Sequence, residues 1–154
     1  VLPGCGFFKK KEPPPAPPPP PPPPPARLTG SLVAAKDLNP SVSKRPSPLR
    51  LRVYELRTSA AFDKADFMAL YNNDEAAIGA DLVAREEFVL QPGEILPYDK
   101  VVSGETRFLG VFAAFRDVER ATWRAIAPVP GGRPMTLELK AQSLAVTVTV
   151  AVKP

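Results

Sequence analysis

Leu144-Ala145-Val146-Thr147-Val148-Thr149-Val150-Ala151-Val152 sets apolar and small polar side chains in alternation. Val146, Val148, Val150 and Val152 fall on one face, with Thr147 and Thr149 on the other. That period of two belongs to a half-buried β-strand, because successive side chains of an extended chain point to opposite faces. Valine and threonine are both β-branched and fit a pleated surface. The stretch just before it repeats the pattern. Met135, Leu137 and Leu139 point inward, against Thr136, Glu138 and Lys140.

Further strands emerge toward the N-terminus. Residues 28–36 (LTGSLVAAK) read as a first strand, interrupted by Gly30. Residues 49–57 alternate Leu49, Leu51 and Val53 against Arg50 and Arg52, then switch parity at Tyr54 and Leu56. Such a switch marks a bulge or a strand buried on both faces. Residues 82–91 stop at Pro92-Gly93, a type II turn pair. Residues 94–99 form a short strand, placed at an edge because Pro97 has no N–H to donate. Residues 107–116 are apolar on both faces and hence central, and Trp123 to Ala127 precede a Pro/Gly-rich break at 128–132. One stretch has helical spacing. Asp63 is a candidate cap with Asp66 three positions on, Phe67, Leu70 and Tyr71 share a face, and Asn72-Asn73-Asp74 ends it. Gly79 marks another turn. Seven or eight short strands with turn signals between them predict a mainly all-β, two-sheet β-sandwich carrying a short inserted helical element.

Ahead of this body the composition changes. Residues 1–26 form one unit and residues 27–154 the sandwich domain. Pro13–Pro15, Ala16 and Pro17–Pro25 make a run in which each ring fixes φ and removes a donor. A polyproline II rod of roughly 40 Å is expected, at about 3.1 Å per residue. It reads as a spacer. A ligand for domains that dock on preformed polyproline stays open, although the run contains none of the charged or aromatic residues that usually give such ligands specificity. Phe7-Phe8 and Lys9-Lys10-Lys11 suit a membrane interface with anionic headgroups.

The net charge of +4 is split evenly, +2 before residue 27 and +2 in the body, where 17 basic side chains face 15 acidic ones. Composition therefore gives no basic face for phosphates, and no nucleic-acid partner is expected. Histidine is absent, which removes the commonest general base and metal ligand. Cys5 is the one cysteine, so no internal disulfide can form. No run of 18 apolar residues spans a bilayer. Glu86 and Glu87 are neighbours on a strand and face opposite ways, so they cannot cooperate as an acid–base pair. Pro130-Gly131-Gly132 reads as a plain β-turn rather than an anion cradle. Trp123-Arg124 reads as a core aromatic beside a strand-face charge. An enzyme is not expected, nor any cofactor apart from a covalent lipid on Cys5.

The candidate partner site is the connection 37–48, DLNPSVSKRPSP, which is longer than a hairpin needs. Its prolines lower the entropy cost of holding a bound shape, and it carries an adjacent cationic pair. The residues assigned to binding are Asn39, Pro40, Ser41, Lys44, Arg45, Pro46, Ser47 and Pro48. The Phe67/Tyr71 face of the helix is the second candidate.

Several stretches, in order, resemble the type VI secretion lipoproteins (the TssJ, or SciN/VasD, family). They are Asn39-Pro40, Arg45-Pro46-Ser47-Pro48, Val53-Tyr54-Glu55-Leu56, Phe62, Ala65-Asp66-Phe67 with Leu70-Tyr71, Arg85-Glu86-Glu87-Phe88 with Leu90, Pro92-Gly93-Glu94, Leu109-Gly110-Val111, Ala113 to Asp117, and Trp123-Arg124. The likeness covers about residues 33–128, and the proline run is not part of the family pattern. Val1-Leu2-Pro3-Gly4-Cys5-Gly6 resembles the end of a bacterial lipoprotein signal, cut before the cysteine that then carries the acyl chains. Pro3 departs from the small residue usual there.

The resemblance implies a transthyretin-like sandwich without catalysis, lipid-anchored by Cys5 to the inner leaflet of the outer membrane on its periplasmic face. It implies binding to the periplasmic C-terminal region of TssM and, through TssM, association with TssL. Two other readings remain: a polyproline-tethered adaptor, and a small-ligand-binding transthyretin-like module.

Overall fold

The computed structural model describes Gly4 and residues 11–154. Cys5, the expected lipid attachment site, and Phe7 to Lys10 lie outside the described residues. Residues 11–25 adopt neither helix nor strand and are exposed, except for a half-buried Pro23.

The body follows as β1 (Ala26–Ala34), β2 (Leu49–Leu56), α1 (Ala60–Lys64), α2 (Phe67–Ile78), a 3-10 turn (Gly79–Asp81), β3 (Leu82–Leu90), β4 (Ile95–Val102), β5 (Phe108–Ala113), β6 (Arg124–Pro128), β7 (Met135–Gln142) and β8 (Ala145–Val152). One four-stranded sheet has the order β4-β1-β7-β8 and the other β3-β2-β5-β6. All pairings are antiparallel except β1 with β7. The two-sheet sandwich with an inserted helical element is thus the architecture the strand pattern predicts.

Alternation explains the sheets directly. Met135, Leu137, Leu139 and Ala141 of β7 are buried between outward residues, as are Val146 and Val148 of β8. Val150 is half-buried, and Val152, at the end of its strand, is exposed. Pro97 lies on edge strand β4. Gly30 does not weaken β1. A Cβ there would collide with the Leu137 carbonyl oxygen of β7, so glycine permits the close parallel pairing of these two strands.

β2 is buried on both faces, which accounts for its change of parity, and a register shift at Glu55/Leu56 adds a bulge. Leu49, Leu51 and Val53 enter the core between the sheets. Tyr54 and Leu56 enter a second cluster, with Phe62, Leu70, Ile78 and Phe112, between the sheet and the helices. Burying Phe62, Leu70 and Ile78 stabilises the helical layer by roughly 1.5–3 kcal/mol per side chain, more than exposed ion pairs supply.

The helical insertion differs from its expected boundaries. Asp63 lies inside α1 and caps nothing. The N-cap of α2 is Asp66, whose Oδ1 accepts from the Ala69 N–H at 2.8 Å. The Asn72-Asn73-Asp74 stretch kinks the helix at Asn73 (φ −154°, ψ 67°) without ending it, and α2 continues to Ile78.

A buried arginine meets the chain just before this kink. Arg52, on the helix-facing side of β2, donates from Nη1 to the Leu70 carbonyl at 2.7 Å and from Nη2 to the Tyr71 carbonyl at 3.3 Å. These carbonyls lie just before the kink, where intrahelical partners are lost. Asp74, also buried, completes the arrangement. Its Oδ2 lies 3.3 Å from Arg52 Nη1 and 2.9 Å from Arg85 Nε, and it accepts from the Tyr54 hydroxyl at 2.9 Å. Its Oδ1 accepts from the Glu75 N–H at 2.9 Å. Arg124 of β6 acts on α1 in the same way, donating from Nη1 to the carbonyls of Phe62 at 2.8 Å and Ala65 at 2.7 Å. Two sheet arginines therefore satisfy helix carbonyls that would otherwise be buried without donors.

Two predictions follow from the buried polar groups. Arg52→Leu leaves the Leu70 and Tyr71 carbonyls without their donor, at about 1–3 kcal/mol for each unsatisfied group, while Asp74 keeps Arg85 and Tyr54. The midpoint of urea unfolding should fall accordingly, whereas Arg50→Leu, at an exposed position, should leave it nearly unchanged. Burial, reinforced by Asp74, raises the Tyr54 hydroxyl above its usual 10.0. Burial, reinforced by Glu86 and Glu55, does the same for Tyr98. A raised acid keeps its proton in the folded state while the unfolded chain releases it, so the associated stability is intact below pH ~10 and is lost as pH rises beyond it. Absorbance titration should show the Tyr54 and Tyr98 phenolates forming together with alkaline unfolding. Ionisation in a chain that is still folded would contradict this.

Candidate partner-binding pole

Four connections meet at one end of the sandwich: 35–48 between β1 and β2, 91–94 between β3 and β4, 114–123 between β5 and β6, and 143–144 between β7 and β8. This follows from the strand directions. β7 runs parallel to β1, so the turn after β7 lies beside the exit of β1. β3 and β5 run antiparallel to β2, so their ends lie beside its start. The proline run enters β1 at the opposite end.

The base of loop 37–48 is held on several sides. The Asn39 N–H donates to the Ser143 carbonyl at 2.8 Å, and the Ser47 N–H to the Leu38 carbonyl at 3.0 Å. The Asn39 side chain donates to the Pro48 carbonyl at 2.9 Å and accepts from the Arg116 N–H at 2.9 Å. The Ser47 hydroxyl donates to the Asn39 carbonyl. Asn39 has a positive φ of 46°, which asparagine tolerates better than most residues. It is only 2% exposed. Burial and four hydrogen bonds make Asn39 the strut that shapes the loop.

The remaining assigned residues form the loop's outer part. Pro40, Ser41 and Ser47 are half-buried, while Lys44, Arg45, Pro46 and Pro48 are exposed. A small turn sets the tip. The Lys44 N–H donates to the Ser41 carbonyl and the Ser41 N–H to the Arg45 carbonyl, both at 2.8 Å. The Arg45 N–H reaches the Ser41 hydroxyl at 3.2 Å. Val42 stands fully in solvent at the crest. Lys44 and Arg45 make no ion pair among the described residues.

The loop stands between two open grooves. The first, of about 520 Å³, has Asn39, Ser47 and Pro48 on one wall and Phe67 and Tyr71 of α2 on the other, with Arg50 and Phe115-Arg116 alongside. Phe67 and Tyr71 stack at 5.9 Å with rings 15° apart. The loop and the aromatic helix face, read from sequence as separate candidates, are thus two walls of one feature. The second groove, of about 810 Å³, runs between Pro40, Val42 and Lys44 and the residues Arg116, Asp117 and Arg120.

The contribution of residues 114–120 was hidden in the sequence by reading 107–116 as strand throughout. β5 stops at Ala113, where the Phe115 N–H turns back to the Ala113 carbonyl at 2.9 Å, and the chain then bends past Arg116. Asp117 is the residual turn signal. Trp123 is half-buried, edge-on to Phe67 at 5.3 Å and to Phe112 at 5.8 Å, and so braces α2 against the sheet.

This pole sets a loop with a proline-bounded cationic tip beside an aromatic groove. Among the described residues no cluster of three His, Cys, Asp or Glu could hold a metal ion. No described helix is long and apolar enough to cross a membrane. Glu86 and Glu87 do face opposite ways, Glu86 toward Lys100 at 3.6 Å and Glu87 toward Arg50 at 3.4 Å.

Comparison with known proteins bears directly on these features. The type VI secretion lipoprotein family (VasD, EvfM, TssJ) matches residues 26–151, which is β1 through nearly all of β8. Comparison with curated protein sequences returns no match. Among solved structures, the chain is similar to the type VI secretion lipoprotein TssJ1 from Pseudomonas aeruginosa. The identity is 42% and the TM-score 0.80, over 85% of this chain and 100% of that one. It has the fold of Serratia marcescens Lip, a membrane-bound component of the type VI secretion system, at 24% identity and TM-score 0.73, over 79% of this chain and 95% of that one. It is also similar to a chain in a structure of the TssM C-terminal domain from EAEC, at 26% identity and TM-score 0.64, over 79% and 96%. With its sandwich, helical layer and strutted β1–β2 loop all inside the matched span, the chain belongs to the type VI secretion lipoprotein family.

Proposed function

We propose that this lipoprotein is a structural part of the type VI secretion membrane complex, fixing the periplasmic C-terminal region of TssM to the outer membrane. In this reading the Cys5 lipid sits in the inner leaflet and the sandwich lies in the periplasm. TssM is gripped at the loop pole, and TssL is reached only through TssM. No step of catalysis is involved. The likeness to a chain in a structure of the TssM C-terminal domain supports TssM as the partner.

The observation that carries the site is the opposition of the two ends. The tether joins β1 at Ala26, and the candidate interface begins where β1 ends, after Ala34. A strand of nine residues puts about 30 Å between them. A chain held by its N-terminus at a membrane then turns the loop pole away from that membrane. The small-ligand reading finds less support. The space between the sheets is filled by side chains such as Leu28, Leu32, Leu51 and Leu139, all fully buried, and both grooves at the loop pole are open and carry charges.

The test is capture of the TssM periplasmic C-terminal region by the full chain, compared with the Lys44→Glu/Arg45→Glu double variant. Placing like charges across an interface costs several kcal/mol, so affinity should drop by about 100-fold or more. Circular dichroism and the unfolding midpoint should not change, because both side chains are exposed. Equal binding by the double variant would remove the loop tip from the interface. No binding by the unmodified chain would overturn the anchoring role.

A further inference from the structure

The proline run is not merely attached to the sandwich. Of residues 11–25, Pro23 alone is half-buried. Its backbone lies so close to Gly104, in the β4–β5 connection, that a Cβ at that position would collide with the Pro23 carbonyl oxygen and lie 2.9 Å from its carbonyl carbon. A Cβ on Gly131 would sit 3.5 Å from Pro23 Cγ, and one on Gly132 would sit 3.5 Å from Pro23 Cβ. Three glycines from two separate connections thus surround one proline.

Their backbone angles say what each contributes. Gly131 and Gly132 have φ of 70° and 73°, so the turn after β6 needs glycine for its own conformation and meets the ring at ordinary contact distance. Gly104 has no such requirement, since its φ is not positive. Its missing side chain is explained by the approach of Pro23. The Pro130-Gly131-Gly132 turn accordingly forms part of a seat for the chain's own tether.

We infer that Gly104, Gly131 and Gly132 form an intramolecular docking site for the end of the proline run, making the tether an arm of fixed direction. Two physical effects combine. Proline residues 23–25 have little torsional freedom of their own. The contact at Pro23 removes the hinge that would otherwise lie between a stiff rod and the first strand. A rod free at its base would let the sandwich swing through a wide cone. A seated rod sets both the distance and the orientation of the loop pole. Residues 13–22 span about 31 Å as polyproline II, and β1 adds about 30 Å beyond the seat. The inference concerns the tether alone and stands whether or not the loop pole binds TssM.

The experiment is a spin-label distance measurement on the full, lipid-free chain with Cys5→Ser. Labels go on Ala16→Cys in the run and Thr147→Cys on β8, both exposed. Two further chains carry the same labels. One has Gly104→Ala, and the other replaces Pro23-Pro24-Pro25 by Gly-Ser-Gly, which leaves the body sequence untouched.

The expected result is one narrow distance distribution for the parent, widened by about twofold or more in both variants, as a flexible segment replaces a stiff one. A parent as broad as the Gly-Ser-Gly chain would overturn the inference. So would a Gly104→Ala chain that stays as narrow as the parent. If Gly104→Ala proves unfolded by circular dichroism, the comparison of parent with the Gly-Ser-Gly chain decides alone: unequal widths support the seat and equal widths overturn it.

Discussion

Arg52 is the residue on which the two-layer character of this sandwich turns. β2 must serve two cores, and its helix-facing side has to meet a helix that breaks at Asn73. A broken helix against a sheet presents carbonyls with no partner and no water, a cost of about 1–3 kcal/mol for each unsatisfied group. A guanidinium is the side chain best suited to answer several such acceptors at once, because its donors fan out in a plane. Arg52 reaches Leu70, Tyr71 and Asp74, and its charge lies over the Phe112 ring at 5.4 Å. Its Nε has no hydrogen-bond partner and lies 3.6 Å from Glu87 Oε1. The cluster is therefore better supplied at the fork than at the stem. Burial works against the charge, yet the surrounding partners leave the guanidinium held above its ordinary range.

The constraint propagates to the candidate interface. Holding Leu70 and Tyr71 by their carbonyls fixes the rotation of α2, and that rotation leaves Phe67 and Tyr71 along the groove beside the loop. Trp123 and Phe112 fill the space behind Phe67. The aromatic wall is thus set from the sheet side, while the opposite wall is set by Asn39 from the loop side. Neither wall depends on a partner to acquire its shape. A preformed interface gives up less conformational entropy on binding than one that must fold.

What could be read from the sequence divides along physical lines. β7 and β8 were legible because one face is buried and one is wet, so composition alternates. The edge position of β4 was legible from Pro97, and the two-sided burial of β2 from its change of parity. Three features were hidden, one by a break between helices and two by contacts between residues distant in the chain. The true helix cap is Asp66, not Asp63, because α1 and α2 are separate helices, and residue spacing cannot show where one stops. Asn39 resembled a contact residue because it sits in a long polar loop. Its burial depends on Ser143 and Arg116, about a hundred and about eighty positions away. Gly131-Gly132 resembled an ordinary turn and Gly104 carried no signal, since nothing local announces that a proline from another segment lies against them.

The division of labour between the two poles also bears on the charge balance. The body's charge of +2 is small, and about half of its cations lie within reach of a carboxylate, among them Arg27 with Asp99 at 2.7 Å, Arg57 with Glu105 at 3.1 Å, and Lys100 with Glu55 at 3.4 Å. The first two pairs are exposed and add little stability. Lys44 and Arg45, which make no ion pair among the described residues, are adjacent in the chain at the tip of a loop whose base is held by Asn39. Local excess charge on a rigid tip steers a partner and fixes its register more than it raises raw affinity. A partner surface of opposite sign would be guided to the loop first, and the aromatic groove beside it would then supply the apolar contact that holds.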